Sequence, residues 1–441
     1  MHERTQRAVA RLLFVFCCAV PTFLVFSSIL ICWSPWYQSR RLTAIEDQLS
    51  LETGVVFRIG ECSQLAPGKY LLSDVELRDP ETGDVVARCR KINFFQGEEH
   101  VGMDLRQAEV RAIGLGRIAS LIHDRLLSRP EHTLRPISVV AFDVNLVGTR
   151  GSLPLGDASI EVKPESDGVR LLAKLGAEFR RAETRLTMDL FRDRSGPVPR
   201  SEWVFSTEGT ALPCSAFADY FPLAERLGSE ASFHGVVRCS EQDDGWAYDL
   251  ASCRLEGVNL SDVSRDLPYR MSGEASLRLR RCLIQPGRSV NVVGGVTAKD
   301  ALVDPLLLLR LHDETSLLVD ATVLQDTRQM VDCNVVDVHF EMKDQSLRLK
   351  GVCQSYDADR YDIAICSRGA PIAWTNPSAV IQSDRVTAAL TPRGSVLQAW
   401  NQVFLPSLPD RVSDETGFYN EPEVRIRNVQ KPTGDKPLLQ R

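Results

Sequence analysis

The chain has 441 residues, of which 44% are hydrophobic and 25% are charged, and its formal net charge is −6. These proportions are typical of folded domains, and the length suffices for one elongated domain or for several compact ones. A weakly acidic chain with 7% aromatic residues lacks the basic patches and stacking aromatics of nucleic-acid-binding proteins. We therefore expect no nucleic-acid partner.

The first predicted element is an apolar segment at residues 12–33, which contains 22 residues and no charged side chain. A helix of that length, rising ~1.5 Å per residue, would reach about 33 Å, and the hydrocarbon core of a bilayer is about 30 Å thick. A cleaved signal peptide would have a shorter apolar core followed by small residues. The sequence therefore predicts a cytoplasmic tail and an uncleaved transmembrane anchor within residues 1–38.

Arginines flank this apolar segment on both sides. Arg4, Arg7 and Arg11 precede it, and Arg40 and Arg41 follow it. Because positively charged residues are retained on the cytoplasmic side of a membrane, this distribution favours a cytoplasmic N-terminus. The sequence thus predicts a single-pass protein with the bulk of the chain outside the cytoplasm.

Residues 39–135 combine helix and strand signals and are predicted to form an N-terminal α/β segment. Apolar residues recur at roughly helical spacing over residues 42–51, which predicts a short helix that ends at Gly54. Short apolar runs separated by turn residues follow and predict strands. A second apolar stripe, over residues 115–127, predicts one further helix before Pro130.

Strand patterns dominate residues 136–406, where apolar and polar residues alternate strictly in several stretches. Such alternation predicts a sheet with one apolar face and one solvated face. The expected fold class is mainly β, with an N-terminal transmembrane helix followed by an elongated, repetitive antiparallel β-sheet and a few short helices. The sheet is expected to form either a groove or a sandwich. Residues 407–441 are predicted to form a disordered tail.

The apolar faces of these strands must contact a second sheet, a barrel interior or a ligand. The candidate groove-lining positions all lie on the apolar side of an alternating strand. They are Met271, Ala275, Leu277, Leu279, Val336, Val338, Phe340 and Met342. A faint similarity between the segments that begin at Gly209 and Gly257 suggests a repeated supersecondary unit.

Sequence motifs for catalysis and metal binding are missing. The chain has no H-E-x-x-H, P-loop, G-x-S-x-G or EF-hand pattern, and its seven histidines are scattered. Residues 114–119 match G-x-G-x-x-A, but strand follows strand afterwards instead of the alternating units of a dinucleotide fold. The glycines are therefore interpreted as the start of a helix. We nominate no catalytic residue, no metal site and no cofactor, and we expect no enzymatic activity.

Three stretches carry a resemblance to a known family: residues 53–60 (TGVVFRIG), residues 74–80 (DVELRDP) and residues 269–277 (YRMSGEASL). They resemble the N-terminal region and the strand starts of AsmA-like and TamB-related envelope proteins, over about residues 40–110 and 209–310. The resemblance implies an elongated β-groove with an apolar inner face, anchored in the cell inner membrane with its bulk in the periplasm. It also implies lipid transport or envelope biogenesis, with the membrane, phospholipid and other envelope proteins as partners.

A second interpretation stays open. If the apolar strand faces close on each other, the chain is a membrane-anchored β-sandwich. It would then serve as a scaffold or protein-interaction module without lipid and without catalytic activity. Both interpretations use the same strands, and they differ in what covers the apolar faces.

Overall fold

A computed structural model of the chain describes residues 13–97, 99–129, 133–176, 186–315, 317–325, 329–353 and 362–390. Strands account for 53% and helices for 24% of the structure. The prediction of a mainly β fold with a few short helices is therefore confirmed. The predicted tail at residues 407–441, and residues 1–12 of the predicted cytoplasmic tail and anchor, lie outside the described residues.

The strands are joined by short turns or by helical segments. They are β1 Val56–Ala66, β2 Lys69–Arg78, β3 Val85–Gln96, β4 Val101–Arg111, β5 Ile137–Gly148, β6 Gly151–Pro164, β7 Gly168–Leu175, β8 Leu186–Asp193, β9 Arg200–Ser206, β10 Leu212–Pro213, β11 Ser232–His234, β12 Val236–Gln242, β13 Gly245–Asp249, β14 Arg254–Asn259, β15 Met271–Gln285, β16 Ser289–Val303, β17 Leu317–Val319, β18 Val331–Lys343, β19 Ser346–Gly351, β20 Asp362–Ser367, β21 Ala370–Thr375 and β22 Ile381–Gln382. The α-helices are α1 Val20–Trp33, α2 Pro35–Thr53, α3 Leu115–Ser120, α4 Leu223–Arg226, α5 Leu260–Val263, α6 Pro305–Glu314, α7 Ala321–Gln325 and α8 Ser383–Leu390.

The N-terminal apolar segment is helical but is not one uniform helix. A π-helical turn, Val15–Ala19, precedes α1, which is 14 residues long. The large side chains of the apolar segment are exposed, Phe14 to 65% and Phe23 to 69%. Within the part of the chain that the structure describes, no helix has both the length and the apolar character needed to cross a membrane.

Helix α2 is longer than the short helix predicted from residues 42–51. It starts about two turns earlier because Ser34 caps it, accepting a hydrogen bond from the backbone N–H of Tyr37 at 3.2 Å. Pro35 occupies the first turn, where its missing N–H has no cost. Gly54 ends the helix with φ of 73°, a left-handed conformation that glycine adopts without strain.

All 22 strands among the described residues join one hydrogen-bonded sheet. From β1 to β9, each strand pairs with the next one along the chain. β4 and β5 pair in parallel because the helical segment at residues 112–127 carries the chain back across the sheet. The sheet is therefore mixed, whereas the sequence predicted an antiparallel sheet.

The second half of the sheet continues the same order. β9 pairs with β12, β12 with β13, β13 with β15, and β15 with β16. β16 then pairs with β18, and β18 with β19. Shorter strands attach to the ends of these long ones, β14 beside β15 and β20 beside β18. The result is a long, sequentially ordered sheet.

The core is divided into sections, and each of the three largest is covered by a helical segment. Helix α2 packs on Ile59, Val75 and Cys89. A π-helical segment, Leu121–Leu127, packs on the section that contains Val162, Leu171 and Leu190. Helix α6 contributes Leu307 and Leu308 to the section formed by the last strands. Apolar side chains on one side of the sheet therefore pack against helices along much of its length.

The two segments of the suggested repeat adopt different structures. After Gly209 the chain enters the short strand β10 at Leu212, whereas after Gly257 it enters helix α5 at Leu260. Gly257 lies within β14, while Gly209 lies in the turn after β9. Both segments then lead through a short helix, α4 or α5, to a strand, β11 from Ser232 and β15 from Met271, so they share only that order of elements.

Candidate apolar binding surface

The predicted groove-lining residues lie on β15 and β18, which flank the central strand β16. Leu277 is opposite Val296, and Val296 is opposite Val338. In the same way, Gly294 joins Leu279 to Phe340 across the sheet. Side chains directly opposite each other in neighbouring strands point to the same face. The structure therefore brings the predicted residues together on one face of three adjacent strands.

This face has a covered part and an open part. Met271, Ala275, Val336 and Val338 belong to or pack against the core section that includes α6, β17, β20 and β21. The other four side chains, which we call the open strip, are half-buried and belong to none of the core sections found among the described residues. The open strip consists of Leu277, Leu279, Phe340 and Met342.

Gly294 shapes the floor of the open strip, and the prediction of the site did not include it. A Cβ atom at this position would lie 2.9 Å from Cζ of Phe340 and 3.2 Å from Cδ2 of Leu279. It would also lie 2.7 Å from the backbone oxygen of Arg278. The aromatic ring thus lies directly over the glycine. A glycine inside a strand pattern is the sequence signal for such a close approach.

The edge of the open strip is also apolar. Met342 is opposite Val292 on one side and Leu347 on the other, and both of these are buried. Phe340 is opposite Leu349 on β19. Since none of these side chains carries a charge or a hydrogen-bonding group, the strip offers only dispersion and hydrophobic contacts. It suits an apolar ligand and has no group that would perform acid–base or nucleophilic chemistry.

A buried polar network lies elsewhere, between the π-helical segment Leu121–Leu127 and strands β8, β9 and β12. The Arg192 guanidinium donates to Glu241 Oε2 at 3.0 Å and to Ser201 Oγ at 2.8 Å. His123 lies with Nε2 3.2 Å from Ser201 Oγ and Nδ1 2.9 Å from Asp124 Oδ1. The order Asp124–His123–Ser201 resembles that of a serine hydrolase triad.

Burial argues against a catalytic role for this network. His123 is 0% exposed and Ser201 is 2% exposed, so a substrate has no surface at which to reach the serine. The rings of Trp203 and Trp246 lie beside the His123 ring, at centroid distances of 6.2 Å and 6.3 Å. A buried ion pair with hydrogen-bonded neighbours holds its surroundings in one arrangement. We assign the network to the attachment of the π-helical segment to the sheet.

The described residues contain no group of three or more His, Cys, Asp or Glu side chains that would hold a metal ion. No protein-family model, curated protein or solved structure matches this chain. The assignment of function therefore depends on the geometry of the chain itself.

Proposed function

We propose that this chain is a membrane-anchored, extracytoplasmic β-sheet protein that binds a phospholipid acyl chain on the open strip. Its role would be lipid transport or envelope biogenesis, as the resemblance to AsmA-like proteins implies, in the inner membrane with the sheet in the periplasm. The observation that carries the proposal is the open strip itself, where four half-buried apolar side chains continue a face that is otherwise covered.

The size of the open strip favours an acyl chain over a protein partner. Two strand spacings of ~4.8 Å separate β15 from β18, and the rows of Leu277 and Met342 lie four residues apart, or ~14 Å, so the strip measures about 10 by 14 Å. A stable protein–protein interface covers about 800 Å² on each partner. The strip is several times smaller, but it is wide enough for a segment of one hydrocarbon chain.

The apolar helical segment at the N-terminus supports attachment to a membrane. Leu13, Phe14, Phe23 and Leu24 are each more than half exposed. Soluble proteins rarely expose a contiguous apolar surface of this kind, because each Å² kept in water costs about 25 cal/mol. A lipid environment removes that cost. Helix α2 follows directly and packs on the first strands, so the anchor would hold the sheet beside the bilayer.

Site-specific photo-crosslinking tests the proposal in the full chain. The photoreactive residue p-benzoylphenylalanine replaces Phe340 in one variant and Glu341 in the control. These neighbours point to opposite faces of β18, and Glu341 is exposed. After irradiation in intact cells, we expect phospholipid adducts at position 340 and none at position 341. Equal adducts at both positions, or none at either, would refute acyl-chain binding on the strip.

One observation favours the scaffold as a second candidate function. Half of the predicted groove residues, among them Ala275 with 7% exposure, lie in a covered core. If the open strip is also covered, its occupant is a protein. The same experiment then gives a protein adduct at position 340 instead of a lipid adduct.

A further inference from the structure

The core residues of the first strands have an unusual spacing. In the core section that α2 covers, β2 contributes Leu72 and Val75, β3 contributes Cys89 and Ile92, and β5 contributes Ala141 and Val144. A regular strand returns to the same face after two residues, and not after three. Two consecutive residues of each strand therefore point away from the core, which interrupts the regular alternation.

These outward pairs are aligned across the sheet. Ser73 is opposite Lys91, Lys91 is opposite Arg106, and Arg106 is opposite Phe142. At these outward positions Asp74 on β2, Gln107 on β4 and Asp143 on β5 all have positive φ, of 52°, 54° and 56°. The outward pairs thus form one row across four strands, on the side of the sheet opposite to the core.

A cavity of about 470 Å³ lies on this row and is lined by Arg90, Lys91, Arg106, Gln107, Phe142 and Asp143. Three of these side chains are cationic, and one is acidic. The guanidinium carbon of Arg106 lies 5.8 Å from the centroid of the Phe142 ring, and the Arg90 guanidinium donates to Gln107 Oε1 at 3.1 Å. Both contacts orient the arginines without neutralising them.

Lys91 and Arg106 are placed directly opposite each other. Like charges at such positions destabilise a sheet. Among the described residues, no carboxylate oxygen lies within 4.0 Å of the charged nitrogens of Arg90, Lys91 or Arg106. With three cations and one carboxylate in its lining, the cavity therefore carries a net positive charge.

Neighbouring cations of the same strands are neutralised. Arg88, two residues before Arg90, lies 3.0 Å from Glu76 Oε1, and Arg78 lies 2.7 Å from Glu76 Oε2. These arginines hold the pKa of Glu76 below its usual value, with the hydrogen bond from Arg78 as the main cause. Arg78 and Arg88 thus share a carboxylate partner, whereas the three cations at the cavity have no carboxylate at ion-pair distance among the described residues.

We propose that Arg90, Lys91 and Arg106 form a binding site for a phosphate group. Arginine guanidinium groups match the geometry of phosphate oxygens, and a lysine ammonium adds a point charge. An anion between Lys91 and Arg106 converts their mutual repulsion into attraction to a shared ligand. The site lies on the opposite face from the open strip and does not depend on the function proposed for it. The phosphate group belongs either to a free phosphate or to the headgroup of a lipid.

Calorimetric titration and thermal unfolding test the site in the full chain, purified in a non-ionic detergent. The probes are inorganic phosphate and monomeric dihexanoyl phosphatidic acid, each at constant ionic strength. We expect a bound probe to raise the unfolding temperature. Each of the variants Lys91→Gln and Arg106→Gln should weaken binding about tenfold or more, because each removes a charge-assisted contact.

Arg88→Gln is the matched control, since it removes the same charge from the same strand at a position that Glu76 already neutralises. It should leave the affinity within about twofold. Without phosphate, Lys91→Gln should unfold at the same temperature as the parent chain or higher, because it relieves repulsion. Binding of inorganic phosphate identifies a free phosphate as sufficient, and binding of the lipid alone identifies a headgroup. Failure of both probes to bind, or equal binding by all variants, would overturn the proposal.

Discussion

Glu46 accepts a hydrogen bond from the backbone N–H of Ile59 at 2.7 Å, although its carboxylate is carried by helix α2 and Ile59 lies in strand β1. One helical turn later, Ser50 Oγ accepts from the backbone N–H of Phe57 at 3.0 Å. β1 is the first strand of the sheet, and among the strands that the structure describes it pairs only with β2. The helix therefore satisfies two N–H groups at the start of this outer edge, which would otherwise be open to pairing with another chain.

We predict that Glu46→Ala lowers the free energy of unfolding by about 1–3 kcal/mol, the cost of a buried donor without its acceptor. It should also increase aggregation, because the edge of β1 becomes available for pairing. Urea unfolding and light scattering measure the two effects. Asp47→Ala is the control, since Asp47 is exposed on the same helix. Equal stability of the two variants would mean that the edge is not protected by Glu46.

The open strip and the covered core predict opposite results for the same substitution. Phe340→Glu places a charge on a half-buried surface that lies in no core section of the described chain, so the fold should survive while lipid binding is lost. Ala275→Glu buries a charge beside α6 and should prevent folding, because an unpaired buried charge costs several kcal/mol. Circular dichroism and size-exclusion chromatography show whether each of the two variants is folded. Unfolding of both variants would show that the strip is part of a closed core.

The strands that carry the strip were predictable from sequence. The alternation at residues 270–280 and 336–343 predicted strands, and the structure has β15 and β18 there. The division into covered and open residues was not predictable, since it depends on α6 and on β20 and β21, which pack on one end of those strands. The alternation of apolar and polar residues indicates which side of a strand is apolar. It does not indicate what packs against that side.

The phosphate site had a signal that the sequence analysis did not use. Apolar residues three apart, such as Leu72 and Val75 or Cys89 and Ile92, were present in the sequence. In a single strand this spacing only weakens the strand pattern. Its meaning depends on the register, which aligns the irregular positions of adjacent strands. The register depends on how all the strands of the sheet pair, and it cannot be predicted from the sequence of one strand.

The buried network predicts that substitutions of two arginines on adjacent strands lower the free energy of unfolding by very different amounts. Arg192 pairs with Glu241 and is 1% exposed, whereas Arg200 pairs with Asp243 with its side chain 54% exposed. Arg192→Met should cost about 3–5 kcal/mol of stability, since it leaves a buried carboxylate unpaired. Arg200→Met should cost at most about 1 kcal/mol. Urea unfolding followed by the fluorescence of Trp203 and Trp246, which lie beside the network, measures both values. Similar losses for the two variants would contradict the buried ion pair.

The cysteines predict how stability responds to alkaline pH. Burial raises the pKa of the Cys333 thiol from 9.0 to about 12 and does the same for Cys239. Between these values the unfolded chain loses the thiol protons while the folded chain keeps them. The stabilising contribution is therefore complete below about pH 9 and is lost as the pH rises toward 12.

Because the thiolate is the reactive form of cysteine, iodoacetamide should leave Cys333 and Cys239 unmodified in the folded protein at pH values just below 9 and should modify them in urea. Rapid modification of the native protein, detected by peptide mass spectrometry, would show that these strands open to solvent.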